Sequence, residues 1–218
     1  MPKVPARSAE PWIPAGANLA QLESAVRNCE GCDLYRHATQ AVFGAGRAGA
    51  RIMMLGEQPG DREDVEGKPF VGPAGKLLDR ALNASGIDRT GVYVTNTVKH
   101  FKFVERGKRR IHQKPTAPEI AACRPWLEAE LSVVRPLVLV CLGATAAQAM
   151  LGRNFRITRE RGRFVEHPLV RYVTSTAHPS SILRIPEPDR RHEEYRLFVE
   201  DLVQVREKLE ELQGGRSA

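Results

Sequence analysis

Three titratable side chains stand where chemistry is possible. Glu57 lies in the run GEQPG (Gly56 to Gly60), directly after an apolar stretch ending at Leu55. A carboxylate at a strand end can act as a base or stabilise a developing cation. Gly56, Pro59 and Gly60 around it imply a tight turn whose backbone approaches a ligand closely. His112 ends the run KRRIH, among Lys108, Arg109, Arg110 and Lys114. An imidazole in that company is either one more phosphate contact or a nucleophile and proton carrier held among phosphate-binding groups. His178, before Pro179, Ser180 and Ser181, could donate to a substrate carbonyl or merely hold a turn.

Two uncharged side chains belong with these. Phe70, between Pro69 and Val71, is either core filler or a stacking platform for a flat ring. Asn96 follows a short apolar run and offers one donor and one acceptor, enough to read a base edge or to cap a turn. The cysteines are a separate signal. Cys29 and Cys32 form a CxxC, with Cys123 and Cys141 further on. In a cytosolic protein this reads as a metal or redox site, either zinc or an iron–sulfur cluster, before a disulfide framework. Cys141 lies inside LVLVCL, where a small buried thiol is the ordinary explanation. Three cysteines then leave a ligand vacancy that His100, in VKHFKF, could fill.

The elements that must position these groups follow from periodicity. Four short apolar runs read as buried strands: Arg51 to Leu55, Val92 to Thr95, Leu137 to Leu142 and Arg171 to Ser175. Helical patterns separate them: Gly75 to Ser85, Ala144 to Leu151, and a stretch opened by Thr116 and Glu119 at capping-box spacing with Pro118 in the first turn. Pro125 is expected to divide that last helix into two pieces. Phe198, Leu202, Val205, Leu209 and Leu212 mark one face of a final helix that ends at Gly214 and Gly215. The pattern predicts an α/β protein, a three-layer α/β/α sandwich around a central four-stranded, mostly parallel sheet. Its ligand would sit outside the carboxyl ends of the strands, where GEQPG, Asn96 and HPSS all fall. Residues 1–18, with four prolines, read as an irregular arm, 19–213 as one domain and 214–218 as a flexible tail.

With 218 residues, 42% of them hydrophobic, the chain can bury a sizeable core, and its longest apolar run is too short to span a bilayer. A soluble cytoplasmic monomer is expected. Of the net charge of +7, Lys99 to Lys114 holds +6: seven basic residues against Glu105. Such a segment suggests a polyanionic partner, nucleic acid first. The rest of the chain sums to one positive charge, so DNA is expected to be held at this segment alone.

Taken together, GEQPG, PFVGPAG, TNTVK, ACRPWL and HPSS resemble the uracil-DNA glycosylase superfamily, from about Cys29 to Ser181 and in the right order. The match is nearest the family 4 iron–sulfur enzymes and, within their vicinity, the UdgX type. Gln58 stands where ordinary family 4 members usually have alanine, His100 where they have cysteine, and the KRRIH segment is an insertion. The resemblance implies the uracil-DNA glycosylase fold and a four-iron four-sulfur (4Fe-4S) cluster held by Cys29, Cys32, His100 and Cys123. It implies excision of uracil from DNA, single-stranded by preference, with Gln58, Gly60, Phe70, Asn96 and His178 forming the base pocket. Lys108, Arg109, Arg110, Lys114 and Ser180 would contact phosphates. His112 would attack the sugar and remain attached to the DNA, with Glu57 orienting it or stabilising the cation.

Overall fold

A computed structural model describes residues 8–214. In chain order the elements are α1 (Leu19–Val26), β1 (Ile52–Gly56), α2 (Asp61–Glu66), α3 (Pro73–Ala84), β2 (Val92–Asn96), β3 (Phe103–Arg106) and β4 (Arg109–His112). Then come α4 (Ala117–Val134), β5 (Val138–Leu142), α5 (Ala144–Leu151), α6 (Ile157–Glu160), β6 (Val165–His167), β7 (Val170–Thr176), α7 (Pro179–Leu183) and α8 (Pro188–Gly214).

The main sheet runs β2-β1-β5-β7-β6, with the first four strands parallel and β6 antiparallel at the edge. Strand residues alternate between two cores, as a sheet covered on both faces requires. Ile52, Met54, Val138 and Val140 pack with Leu78 and Leu82 of α3 and Phe198 and Leu202 of α8. Met53, Leu55, Leu139 and Cys141 pack with Leu127 and Leu131 of α4 and Ala146 of α5. A third cluster joins α1 to α4 and contains Cys29, Cys32 and Cys123. Cys141 is wholly buried between sheet and helix, a core residue.

The three-layer α/β/α architecture is as expected, with three corrections. The sheet has five strands rather than four, because β6 is three residues long and largely exposed and so shows no apolar run. The basic segment, which has no strand period, folds as the antiparallel hairpin β3–β4, turned at Gly107 with φ +59°. Pro125 does not divide its helix: α4 is continuous, capped by the reciprocal Thr116–Glu119 box and held by buried Cys123, Trp126, Leu127 and Leu131 on both sides of the proline. Packing there outweighs the one backbone bond that proline forfeits.

Of the expected arm, residues 1–7 lie outside the described residues. Ala9 is buried and donates its N–H to the Ala122 carbonyl, and Glu10–Trp12 form a single 3-10 turn. Residues 215–218 of the expected tail also lie outside. No helix among the described residues is long and apolar enough to cross a membrane.

Candidate active site

The carboxyl ends of the parallel strands form the floor of a cleft of about 720 Å³. In the β1–β2 register Gly56 faces Asn96. A Cβ on Gly56 would lie 2.2 Å from Asn96 Oδ1 and 3.0 Å from the Phe70 ring, so only glycine lets both side chains close on this strand end. Thr97 donates its hydroxyl to the Gly56 carbonyl at 2.8 Å and fixes the turn. Asn96 is 2% exposed, and its Nδ2 has no hydrogen-bond partner. A buried amide donor left unpaired is costly in a finished core and expected where a ligand supplies the acceptor.

Phe70 reaches the cleft from a strained backbone, φ +59°, unusual for an aromatic residue. Two devices hold it. A Cβ on Gly75 would meet the Phe70 carbonyl at 1.6 Å, so the first turn of α3 can close over the loop only with glycine there. Burial pushes the Glu63 carboxyl up, against the lowering effect of hydrogen bonds from the Gly60, Phe70 and Gly72 amides that pin the loop.

Glu57 joins three elements. One oxygen accepts the Thr145 hydroxyl at the start of α5, and the other lies 3.2 Å from His112 Nε2 at the end of β4. Burial raises its pKa, but the hydrogen bonds from His112 and Thr145 prevail and hold the carboxyl below its usual range. His178 caps α7. Its Nδ1 accepts the Ser180 amide at 3.1 Å and lies 2.8 Å from the Ser180 hydroxyl. A backbone N–H can only donate, so Nδ1 carries the lone pair and the ring proton sits on Nε2. Burial lowers the His178 pKa to about 4, which keeps the ring a neutral Nε2–H donor.

The basic segment divides by tertiary partner. Lys99 is fully buried: its ammonium donates to Thr95 Oγ1 at 2.7 Å, to the Asn96 carbonyl at 2.9 Å and to Glu130 of α4. Glu130 also accepts from the Tyr93 hydroxyl and the Gly44 amide. Lys102 pairs with Glu119 at 2.9 Å. Arg110 binds Asp61 and the buried Asp64, each at 2.6 Å, while lying over Phe101 and Phe103. Its guanidinium therefore clamps the hairpin to α2, an employment other than the phosphate contact expected of it. Gln58 is similarly committed: its Nε2 donates to the Lys102 and Gln113 carbonyls, at the two ends of the hairpin, and its Oε1 accepts the Lys102 amide. Lys108 and Arg109 are exposed near the hairpin turn, and Lys114 lines the cleft with Gly60 and Ser180.

Cys29, Cys32 and Cys123 share one buried cluster. Trp126 Nε1 donates to Cys29 Sγ at 3.2 Å, and the Lys99 amide donates to Cys123 Sγ at 3.3 Å; His100, next to Lys99 in the chain, is buried. Burial pushes the Cys123 thiol up to about 12 and lowers His100 to about 4, so both groups stand uncharged. Among the described residues no three His, Cys, Asp or Glu side chains close on a point that could hold a single metal ion. An iron–sulfur cluster is a body rather than a point; it needs sulfurs arranged around a dry space, with N–H donors aimed at them. The three buried cysteines, two of them already receiving N–H donors, suit such a group in their chemistry.

Sequence reasoning missed Thr145, Glu63, Arg161 and Arg184, which line the cleft with the expected residues. None lies in a motif with its own signature; only the Gly-Ala-Thr start of a helix after a buried strand pointed toward Thr145.

A mostly parallel sheet covered by helices on both faces, with a carboxylate, two histidines and an unsatisfied amide in a cleft at its carboxyl edge, defines an α/β protein with a polar ligand cleft. The chain belongs to the uracil DNA glycosylase superfamily, whose family model matches residues 43–203. It is 37% identical over 182 residues to a Type-4 uracil-DNA glycosylase of Thermotoga maritima, covering 83% of this chain and 89% of the relative. Relatives of the same name from Saccharolobus solfataricus and Archaeoglobus fulgidus are 36% and 34% identical, covering 88% and 78% of this chain and 87% and 85% of theirs.

Proposed function

We propose that this protein excises uracil from DNA, single-stranded by preference, and becomes covalently attached to the abasic sugar through His112, as in the UdgX type. The observation that carries the reading is His112 Nε2 within 3.2 Å of Glu57, in the cleft that also holds the unpaired Asn96 amide. The names of the relatives support the base and the polymer.

The target nucleotide leaves the stack, which costs least in a single strand. Asn96 supplies its free Nδ2–H to a uracil carbonyl, and Phe70 stacks on the ring. Gly60 and the Gln58 turn wall the pocket; a purine does not fit, and a thymine methyl meets the wall. The bond from C1′ to uracil N1 breaks, and its electron pair leaves with the base. The neutral His178 donates Nε2–H to the uracil oxygen on which that charge collects, a preorganised contact that strengthens as the bond breaks. Ionised Glu57 faces the cationic sugar. The His112 ring nitrogen bearing the lone pair forms the new bond to C1′, and the other nitrogen passes its proton toward Glu57, so the ring ends neutral.

Lys108, Arg109, Lys114 and Ser180 hold phosphates, while Arg110 and Gln58 keep the hairpin in place. Cys29, Cys32, His100 and Cys123 would hold a 4Fe-4S cluster that, when bound, cross-links the CxxC segment to α4 and to the base of the hairpin. The functional unit is a single domain over 19–213, acting as a monomer.

Incubation with single-stranded uracil DNA followed by a denaturing gel tests this. A shifted band that survives denaturant and vanishes in His112→Ala is expected. Repeated uracil release without a shift would make the protein a conventional turnover glycosylase, and salt-sensitive binding without free uracil would make it a binding module.

A further inference from the structure

The single positive charge left outside residues 99–114 conceals a second concentration. Residues 153–163 carry Arg153, Arg156, Arg159, Arg161 and Arg163 against Glu160. The segment leads from α5 through α6 toward β6. Its balance in the chain total comes from carboxylates far along the sequence, so the sum hides it.

Arg161 is consumed internally, pairing with Glu194 at 3.2 Å and Asp201 at 2.7 Å on α8. Arg163 has only a loose contact with Glu160 at 4.0 Å. Arg153, Arg156 and Arg159 are exposed, and among the described residues none of them forms an ion pair. Arg156 is held by the backbone instead, its Nη1 donating to the Arg153 and Phe155 carbonyls. Three like charges on a short surface segment repel one another, and a polyanion relieves that repulsion.

Position turns the patch into a site. The Gly162 amide bonds the Ser175 carbonyl at 2.9 Å, and Arg161 reaches Thr176, so the segment is anchored at the carboxyl end of β7. Ile157 and Thr158 line the same cleft as His112 and Lys114. The hairpin springs from β2, and β2 and β7 are separated by β1 and β5. That separation is roughly 14 Å, three strand spacings of about 4.8 Å. At about 3.4 Å per nucleotide it spans roughly four nucleotides of a strand.

We propose that residues 153–163 are a second backbone grip, in which Arg153, Arg156 and Arg159 contact phosphates of the strand as it leaves the cleft on the β7 side. The proposal rests on the reading of this protein as one that acts on DNA. The hairpin then holds one rim and α6 the other, and neither reads bases.

The test is the salt dependence of binding to uracil-free single strands of roughly 20 nucleotides, whose log–log slope reports about 0.7 per phosphate neutralised. In the full-length Arg153→Gln/Arg156→Gln/Arg159→Gln protein the slope should fall by about 2 relative to wild type. Arg27→Gln/Arg135→Gln/Arg196→Gln, which removes the same charge elsewhere, should leave it unchanged. Adduct formation on a short oligonucleotide that does not reach α6 should be retained by the first variant, which also shows that it folds. An unchanged slope in that variant, an equal fall in the control, or a wild type with no affinity for single strands overturns the proposal. The binding measurement needs no uracil chemistry. A wild type that loses slope as expected on substitution but neither excises nor crosslinks uracil therefore sinks the proposed reaction alone.

Discussion

His112 Nε2 lies 3.2 Å from Glu57 Oε1, joining the end of the basic hairpin to the end of the first strand of the sheet. The carboxylate is anchored on its other oxygen by Thr145 and is held ionised below the usual carboxylate range. It can therefore orient a neutral imidazole and accept a proton from it at ordinary pH.

Glu57→Gln keeps the shape and removes the charge. Adduct formation in a single-turnover assay should slow by about 10²-fold or more, the usual worth of a positioned acid–base group. The pH profile assigns the roles. The lowered pKa of Glu57 leaves it charged, and the pKa of about 4 at His178 leaves that ring neutral, throughout pH 5.5 to 8. Uracil release by wild type and by His112→Ala should therefore show no acid limb from Glu57 or His178 in that range, and a limb present there would assign it to another group.

Gly56→Ala places a methyl 2.2 Å from Asn96 Oδ1 and 3.0 Å from Phe70. Both pocket walls must shift, and positioning errors of about 1 Å cost on the order of 10²-fold in rate. Single-turnover uracil release should drop by about that factor, while binding to uracil-free strands, which uses the rim cations, stays near wild type.

Lys99 and Glu130 are both fully buried and bonded to each other. Lys99→Met leaves the Glu130 carboxylate without its cation and should cost about 3–5 kcal/mol in urea unfolding. The double variant Lys99→Met/Glu130→Gln should recover most of that loss, because the uncompensated charge is gone while an amide oxygen remains to accept from Tyr93 and Gly44. Equal destabilisation of single and double variants would mean that shape, not charge, governs the site.

The cluster assignment predicts a brown protein whose visible absorbance is lost in Cys29→Ala and Cys123→Ala and kept in Cys141→Ala and His100→Cys. Colourless protein with stoichiometric zinc, or absorbance that ignores His100→Ala and needs Cys141, would overturn it. Chelation of the iron should weaken DNA binding before it slows uracil release.

Much of this molecule was legible in one dimension. Short apolar runs located the four parallel strands and near-four-residue periods the main helices, since both report how a local element is buried. The motifs GEQPG, TNTVK and HPSS each follow a buried strand, so their meeting at one sheet edge followed from the parallel order. The fate of each charge did not. Lys99, Lys102 and Arg110 count equally with Lys108 in the sequence, yet the first three are taken by Glu130, Glu119 and the Asp61–Asp64 pair, residues brought near only by folding. The hairpin, the fifth strand, the Gln58 clamp and the unpaired arginines of 153–159 share that dependence. Apolar periodicity is local and can be read along the chain, whereas the partner of a polar group is chosen across it, and only the tertiary structure decides which cations remain free for a substrate.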